Sequence, residues 1–145
     1  MKKIDTPASK IFFTSDMHFG HQGIIQFAGR PFVDSDEMDN QLIQNWNSVV
    51  GEDALVFVLG DIGFASAKNI RIIFRSLKGR KILIRGNHDS NYSDSLLSSL
   101  FDEVHELLYI RVQEEKSKKS TYIVLSHYPL LDWQSSFCGS WQLFG

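Results

Sequence analysis

Short apolar runs alternate with helical hydrophobic patterns along this 145-residue chain. Three runs are continuous, end at turn-forming residues and therefore predict buried strands: 10–14, 54–59 and 81–84. Apolar residues at the spacing of a helix face predict three helices: 34–50, 66–78 and a shorter one at 92–100. Strands that alternate with helices favour an α/β fold in which at least part of the sheet is parallel.

Polar residues indicate where some of these elements begin and end. Asp34 and Glu37 are spaced like the two members of a helix-capping pair. Two later apolar runs, 104–112 and 121–125, are predicted to pair across the charged stretch 114–120. We interpret that stretch as a solvated hairpin tip, because charge runs of this kind are typical of loops.

Composition narrows the class of protein. The length predicts one domain over residues 1–145, and 43% hydrophobic with 22% charged residues is typical of a soluble globular chain. The single cysteine cannot form an internal disulfide, and neither a secretory signal nor a membrane-spanning run is visible. We therefore expect a cytoplasmic protein without a membrane partner. The net charge of -2 lacks a basic footprint, so long nucleic acid is not the expected partner.

Polar side chains follow four of the predicted strands, at the point where each strand ends. They are Asp16 and His18, then Asp61, then Asn87, His88 and Asp89, and finally His127. Ligands of open α/β sheets bind beyond the carboxyl ends of the strands, so we expect these side chains to share one rim. Asp16 and His18 are two residues apart, and extended backbone would point both side chains the same way.

This set of carboxylate, imidazole and amide groups predicts a metal site. Mixed oxygen and nitrogen ligands suit manganese, iron or zinc, and the lack of a cysteine pair argues against a structural zinc or iron–sulfur site. A carboxylate such as Asp61 can bridge two ions, and a pair about 3.5–4 Å apart can clamp a phosphoryl group. Each piece has an ordinary alternative, since Gly-Asp is usually a turn and a lone histidine such as His127 is usually structural. The metal interpretation depends on all four segments lying on the same side of one sheet.

Taken in order, these motifs resemble those of the calcineurin-like metallophosphoesterases. The matching segments are Asp16-Met17-His18, Gly60-Asp61, Gly86-Asn87-His88-Asp89 and His127 within Ser-His-Tyr-Pro. The stretches at 18–21, 45–46, 59–61 and 125–130 are similar to the small bacterial and phage branch of that family. The resemblance covers Ile11 to Gly145 and implies a four-layer α-β-β-α sandwich.

The resemblance also implies roles for the metal-ligating residues. Asp16 and His18 would hold a first ion, Asp61 would bridge, and Asn87 and His127 would hold a second. The two divalent ions are expected to be manganese, with iron or zinc as the alternatives. The implied activity is the hydrolysis of phosphate mono- or diesters, through in-line attack by a hydroxide that bridges the two ions.

Further residues are candidates for catalysis and substrate binding. The resemblance implies that His88 faces the substrate and protonates the leaving oxygen, and that Asp89 orients His88. His21 and Arg85 are candidate substrate-binding residues, with an exposed helix cap and a solvated strand-end charge as the respective alternatives. Arg30 is open to the same two interpretations as Arg85.

One family motif is absent from this chain. A Gly-His-x-His segment supplies a ligand to each metal in the family, and the chain ends at Gly145, one residue before its place in the small branch. We therefore expect missing C-terminal strands, weaker metal binding and exposed sheet edges that favour self-association. A metal-dependent phosphoesterase acting on a small phosphate ester is the leading hypothesis. The alternatives are a non-catalytic metal-binding or scaffold protein on the same fold, and a chain that a partner completes.

Overall fold

The computed structural model describes residues 1–114 and 119–145. Eight strands are found in these ranges: β1 (Lys2–Ile4), β2 (Ile11–Thr14), β3 (Leu55–Val58), β4 (Arg80–Ile84), β5 (Glu103–His105), β6 (Leu107–Gln113), β7 (Ser120–Ser126) and β8 (Trp141–Leu143). The α-helices are α1 (Gln22–Phe27), α2 (Ser35–Val49), α3 (Ala67–Ser76) and α4 (Asp94–Leu100). Short 3-10 turns occupy Ala8–Lys10, His88–Asn91 and Ser136–Cys138.

The strands form two four-stranded sheets. One sheet has the order β2-β3-β4-β5 and is parallel throughout. The other has the order β1-β6-β7-β8, in which only the β6–β7 pair is antiparallel. Because β2, β3 and β4 run in the same direction, the loops that follow them meet at one edge of the first sheet.

Two apolar cores hold the layers together. On one face of the parallel sheet, Val56 and Val58 pack with Trp46 of α2 and Phe74 of α3. On its other face, alternate strand residues such as Phe57 pack against the second sheet, whose inner side chains include Ile110, Ile123 and Leu125. The alternation follows from the two-residue period of a strand. The predicted α/β sandwich is confirmed: a layer of helices packs on the parallel sheet, and the parallel sheet packs on the second sheet.

The predicted strands and helices of the first hundred residues are confirmed, with ends that shift by one to two residues. Asp34 caps α2 by accepting a hydrogen bond from the Glu37 backbone N–H at 2.8 Å, and the Glu37 carboxylate accepts one from Val33 N–H at 2.6 Å. Ser66 caps α3 and Ser93 caps α4 in the same way. These caps satisfy N–H groups that the first turn of a helix leaves unpaired.

The predicted strand over 104–112 is in fact two strands in different sheets. β5 pairs with β4, whereas β6 pairs with β1 and β7, so the chain crosses between the sheets at Glu106. Val104 packs toward the helices, and Leu108 faces the core between the sheets. The apolar residues of this segment cannot reveal such a crossing, because they satisfy either core equally well.

Short elements account for the remaining differences from the sequence prediction. β1, α1 and β8 contain three to six residues, which is too short for a distinct hydrophobic period. The predicted pairing of 104–112 with 121–125 is found between β6 and β7, while residues 115–118 of the expected tip lie outside the described residues. Within the described ranges, none of the helices has both the length and the apolar character needed to cross a bilayer.

Candidate metal centre

The loops after β2, β3, β4 and β7 meet around an open cavity of about 630 Å³. Its walls include every predicted metal ligand and the predicted catalytic histidine: Asp16, His18, Asp61, Asn87, His88 and His127. Residues up to 111 positions apart in the chain therefore share one rim. β2, β3 and β4 deliver their carboxyl ends to the same edge of the parallel sheet, whereas His127 follows β7 of the second sheet, so the rim is shared by both sheets and not confined to one as predicted.

Asp61 lies at the centre of this group. Its Oδ2 is 3.7 Å from Nε2 of His18 and 3.7 Å from Nε2 of His88, and its Oδ1 is 3.7 Å from Nε2 of His127. The carboxylate is buried, and Oδ1 accepts a hydrogen bond from the His88 backbone N–H at 3.0 Å. Asp61 thus presents one oxygen to each side of the site.

Three site residues adopt left-handed backbone conformations that are rare for residues other than glycine. The φ angles are 53° at Asp16, 54° at His18 and 56° at Asp61. Such conformations persist only where surrounding structure holds them, and they are concentrated at functional sites. Here the His18 N–H donates to Asp61 O at 3.1 Å, and the Asp16 N–H donates to Gly60 O at 3.0 Å. The first two loops are therefore joined by backbone hydrogen bonds.

One side of the site contains two carboxylates and an imidazole. His18 Nε2 lies 3.8 Å from Asp16 Oδ1, and ligand atoms of Asp16, His18 and Asp61 all lie within 4.8 Å of one another. Burial lowers the pKa of His18 below its ordinary value, and Arg30 and His21 lower it further, although Asp61 and Asp16 oppose the shift. A neutral imidazole between two carboxylates is suited to binding a cation.

The other side of the site pairs His127 with Asn87. His127 Nδ1 is 2.7 Å from the Leu59 carbonyl oxygen, so Nδ1 carries the hydrogen and donates it. Nε2, on the other side of the ring, lies 3.1 Å from Asn87 Oδ1. An imidazole nitrogen and an amide oxygen are both atoms that can bind a metal ion.

The potential ligand atoms of these described residues are of the types that divalent metal ions bind. Carboxylate, amide and imidazole groups converge on the Asp61 carboxylate from two sides, with Asn87 Oδ1 and His127 Nε2 3.1 Å apart. This arrangement would satisfy each donor when a cation is bound. The identity of the metal does not follow from the donor set, because manganese, iron and zinc all accept these ligands.

His88 lies at the mouth of the site and keeps 40% of its side chain exposed. Its ring contacts the exposed ring of Phe64, with centroids 4.7 Å apart, and the edge of His18 at 5.7 Å. Phe64 also contacts His21, at 4.1 Å between centroids. Phe64 was not among the residues predicted for the site, although its position three residues after Asp61 places it in the same loop.

Asp89 differs from its predicted role of orienting His88. The side chain is fully buried, and its hydrogen bonds come from backbone N–H groups of Gly86 at 2.8 Å, Ile62 at 2.9 Å and Asp61 at 3.1 Å. Burial raises the pKa of Asp89, and the three N–H donors oppose that rise. Asp89 therefore joins the loops after β3 and β4, because both of its oxygens face backbone rather than the imidazole.

His21 contacts a predicted metal ligand. Its Nδ1 is 3.2 Å from Nδ1 of His18, so one ring donates a hydrogen bond to the other. When His18 offers Nε2 as a ligand, its Nδ1 must carry the hydrogen and donate to His21. Burial lowers the pKa of His21, and His88 and Arg30 lower it further. His21 also lines the cavity, and its side chain makes no hydrogen bond that caps α1.

Arg85 does not contribute to this cavity, contrary to the prediction that it binds substrate. Its guanidinium forms ion pairs with Asp94 and, at 3.6 Å, with Glu106. These carboxylates raise the pKa of Arg85, chiefly through the hydrogen bond to Asp94. The ion pairs with Asp94 and Glu106 hold the Arg85 side chain away from the cavity.

Comparisons with known proteins agree with this geometry. The family model described as "Calcineurin-like phosphoesterase" matches residues 9–141. An uncharacterized protein of Methanocaldococcus jannaschii, MJ1445, is 44% identical over 82 residues, which cover 55% of this chain and 47% of that protein. The Gene 66 protein of Mycobacterium phage L5 is 35% identical over 133 residues, covering 83% of this chain and 64% of that protein.

A solved structure shows the same architecture. The crystal structure of AQ665 from Aquifex aeolicus, a protein of unknown function, aligns with this chain with a TM-score of 0.64 and 30% sequence identity. The alignment covers 88% of this chain and 66% of the AQ665 chain. The Gene 66 protein of Mycobacterium phage D29 is 32% identical and is covered to 64%. The chain thus spans between about half and two thirds of the length of the relatives it matches.

Proposed function

Because the chain belongs to the calcineurin-like phosphoesterase family, we propose that it hydrolyses phosphate esters with the help of bound divalent metal ions. The resemblance read from the motifs is confirmed by the family match, and the phage relatives agree with the small bacterial and phage branch. The observation that carries the proposal is the central carboxylate of Asp61, which has imidazole nitrogens of His18, His88 and His127 at 3.7 Å.

The proposed site would hold two ions, with Asp61 as the ligand common to both. Asp16 and His18 would bind the first, and Asn87 and His127 would bind the second. We propose manganese as the ion, with iron or zinc as the alternatives. When bound, divalent ions of this kind neutralise phosphate charge and lower the pKa of water enough for it to attack phosphorus.

His88 supplies the proton in this proposal. Its ring is the most exposed of the imidazoles around Asp61, and its Nε2 is close to the carboxylate without a hydrogen bond to it. A histidine at this position can donate a hydrogen bond to a phosphoryl oxygen and protonate the leaving oxygen. Phe64 restrains the ring from one face.

The proposed substrate is a small phosphate mono- or diester. The cavity is open, with a volume of about 630 Å³, and the net charge of -2 does not favour binding to a long nucleic acid. A cytoplasmic location is proposed on the sequence alone.

Self-association is proposed as a consequence of two neighbouring sheet edges. β2 ends one sheet and β8 ends the other, and the partly exposed rings of Phe13 and Phe144 line a groove between them. Unpaired edges beside apolar surface favour pairing with a second copy. Size-exclusion chromatography should show a dimer, and a monomer at all concentrations would contradict this proposal.

Hydrolysis of p-nitrophenyl phosphate and bis-p-nitrophenyl phosphate with added Mn²⁺ tests the function. Asp61→Asn keeps the shape of the side chain and removes its charge, so turnover should fall by at least about 100-fold. Asp53→Asn is the matched control, because Asp53 is exposed and paired with Lys10 away from the cavity. Equal rates for the wild type and Asp61→Asn would refute the catalytic proposal. Binding of Mn²⁺ without turnover would favour the non-catalytic alternative.

A further inference from the structure

Arg30 lies beneath the loop that carries the first two predicted metal ligands. It follows α1 and the left-handed residue Gly29, and its own backbone N–H donates to Ile25 O at 2.8 Å. The side chain is half-buried. It does not line the cavity, so it is placed to act on the loop rather than on a substrate.

The guanidinium of Arg30 donates to two consecutive carbonyl groups of this loop. Nη2 donates to Asp16 O at 2.7 Å, and Nη1 donates to Met17 O at 2.9 Å. These peptide groups lie between the left-handed residues Asp16 and His18, with φ angles of 53° and 54°. The guanidinium is planar and presents several N–H groups in a fixed fork, which suits two neighbouring acceptors.

The loop is thereby held from two sides. The N–H groups of Asp16 and His18 donate to the loop after β3, at Gly60 O and Asp61 O, while the carbonyls between them accept from Arg30. Left-handed conformations of residues with a side chain are unfavourable by themselves and need such external contacts. Removing the contacts on one side would allow both residues to return to ordinary backbone angles.

We infer that Arg30 is a positioning residue for the metal site, which acts by holding the backbone of Asp16 and Met17 so that the Asp16 and His18 side chains converge. It is neither a phosphate ligand nor a solvated charge. The inference rests on the proposed function, because it requires that these side chains bind a metal. Lysine at this position would keep the charge but offer a single nitrogen in place of the fork.

Counting free Mn²⁺ by electron paramagnetic resonance during titration of the metal-free protein tests the inference without relying on activity. Arg30→Lys should bind Mn²⁺ about 10- to 100-fold more weakly than the wild type, the range seen when groups that orient metal ligands are lost. Arg71→Lys is the control, because Arg71 is also half-buried but donates to Ser99 on α4. It should match the wild type.

A second variant separates positioning from a general loss of structure. Arg30→Ala should recover Mn²⁺ affinity when methylguanidinium is added, whereas methylammonium should have no effect, because only the planar cation can replace both hydrogen bonds. If Arg30→Ala does not fold, the Arg30→Lys titration still decides the question.

The outcomes distinguish this inference from the proposed function. If the wild type binds none of Mn²⁺, Fe²⁺ and Zn²⁺, the proposed function fails and the inference fails with it. If the wild type binds Mn²⁺ and Arg30→Lys binds it equally well, the inference is overturned while the function stands. An Arg30→Lys variant with a raised KM for the phosphate ester and unchanged Mn²⁺ affinity would also overturn it, since Arg30 would then bind substrate.

Discussion

The substitution Gly86→Ala tests how closely the loop after β4 must approach the loop after β3. A Cβ at this position would lie 2.2 Å from Asp61 Oδ1 and 2.6 Å from the Asp61 backbone nitrogen. Neither atom can move freely, because Oδ1 accepts from the His88 N–H and the backbone N–H donates to Asp89. Gly86→Ala must therefore displace the central carboxylate of the site.

The size of the effect follows from these contacts. Overpacking of a close-packed region costs about 1–3 kcal/mol, and we expect about 3 kcal/mol because a backbone atom is among those displaced. For a chain of this length that corresponds to a fall in Tm of roughly 6–12 °C. Movement of Asp61 should also weaken Mn²⁺ binding by at least about 100-fold, the upper end of the effect of misplaced ligands.

Thermal unfolding followed by circular dichroism, without metal, measures the first effect, and Mn²⁺ titration measures the second. Gly51→Ala is the control, because its Cβ would meet only the exposed Asp53 side chain, at 3.3 Å. Its Tm should stay within about 2 °C of the wild type, as expected for an exposed substitution. A Gly86→Ala variant with the Tm and Mn²⁺ affinity of the wild type would show that the loops do not need this close approach.

Three further predictions concern side chains around the cavity. Arg85→Ala should keep kcat/KM within about twofold of the wild type, because the guanidinium already pairs with two carboxylates and not with substrate. A tenfold loss in steady-state assays would show that Arg85 does bind substrate. Phe64→Ala should lower kcat by about 10- to 100-fold with unchanged Mn²⁺ affinity, since it frees the His88 ring; an unchanged kcat would contradict this. Burial lowers the pKa of His18 in the folded chain, so this histidine takes up a proton in the unfolded chain at a higher pH than in the folded chain. The free energy of unfolding of the metal-free protein should therefore decrease as the pH is lowered below about 6.5, and it should decrease less in His18→Asn. Denaturant unfolding measures both pH profiles, and equal profiles would argue against a lowered pKa of His18.

The side chains that meet at the rim could be predicted from the sequence because each follows a recognisable apolar strand. Parallel strands deliver their carboxyl ends to one edge, which explains the convergence of Asp16, Asp61 and Asn87, whereas His127 reaches the rim from the second sheet. The left-handed backbone at the first two of these residues could not be predicted. It depends on contacts with loops that are distant in sequence.

Roles that depend on the direction of a side chain were the least predictable. Asp89 follows His88 directly, yet its carboxylate accepts from backbone of another loop, and Arg85 turns toward Asp94 instead of the cavity. Adjacency in sequence says little about contact, because each turn after a strand rotates successive side chains to different surroundings. Arg30 shows the converse, since it donates to carbonyl groups 13 and 14 residues away in the chain.

The sequence by itself determined the α/β class, the strands and main helices, and the chemical types of the site residues, because hydrophobic period and residue identity are local properties. The tertiary structure alone decided that β5 and β6 belong to different sheets, that Arg30 and Asp89 support backbone, and that Phe64 contacts His88. These features arise from packing between segments far apart in the chain, where many directions satisfy the same local pattern and only the assembled fold selects one.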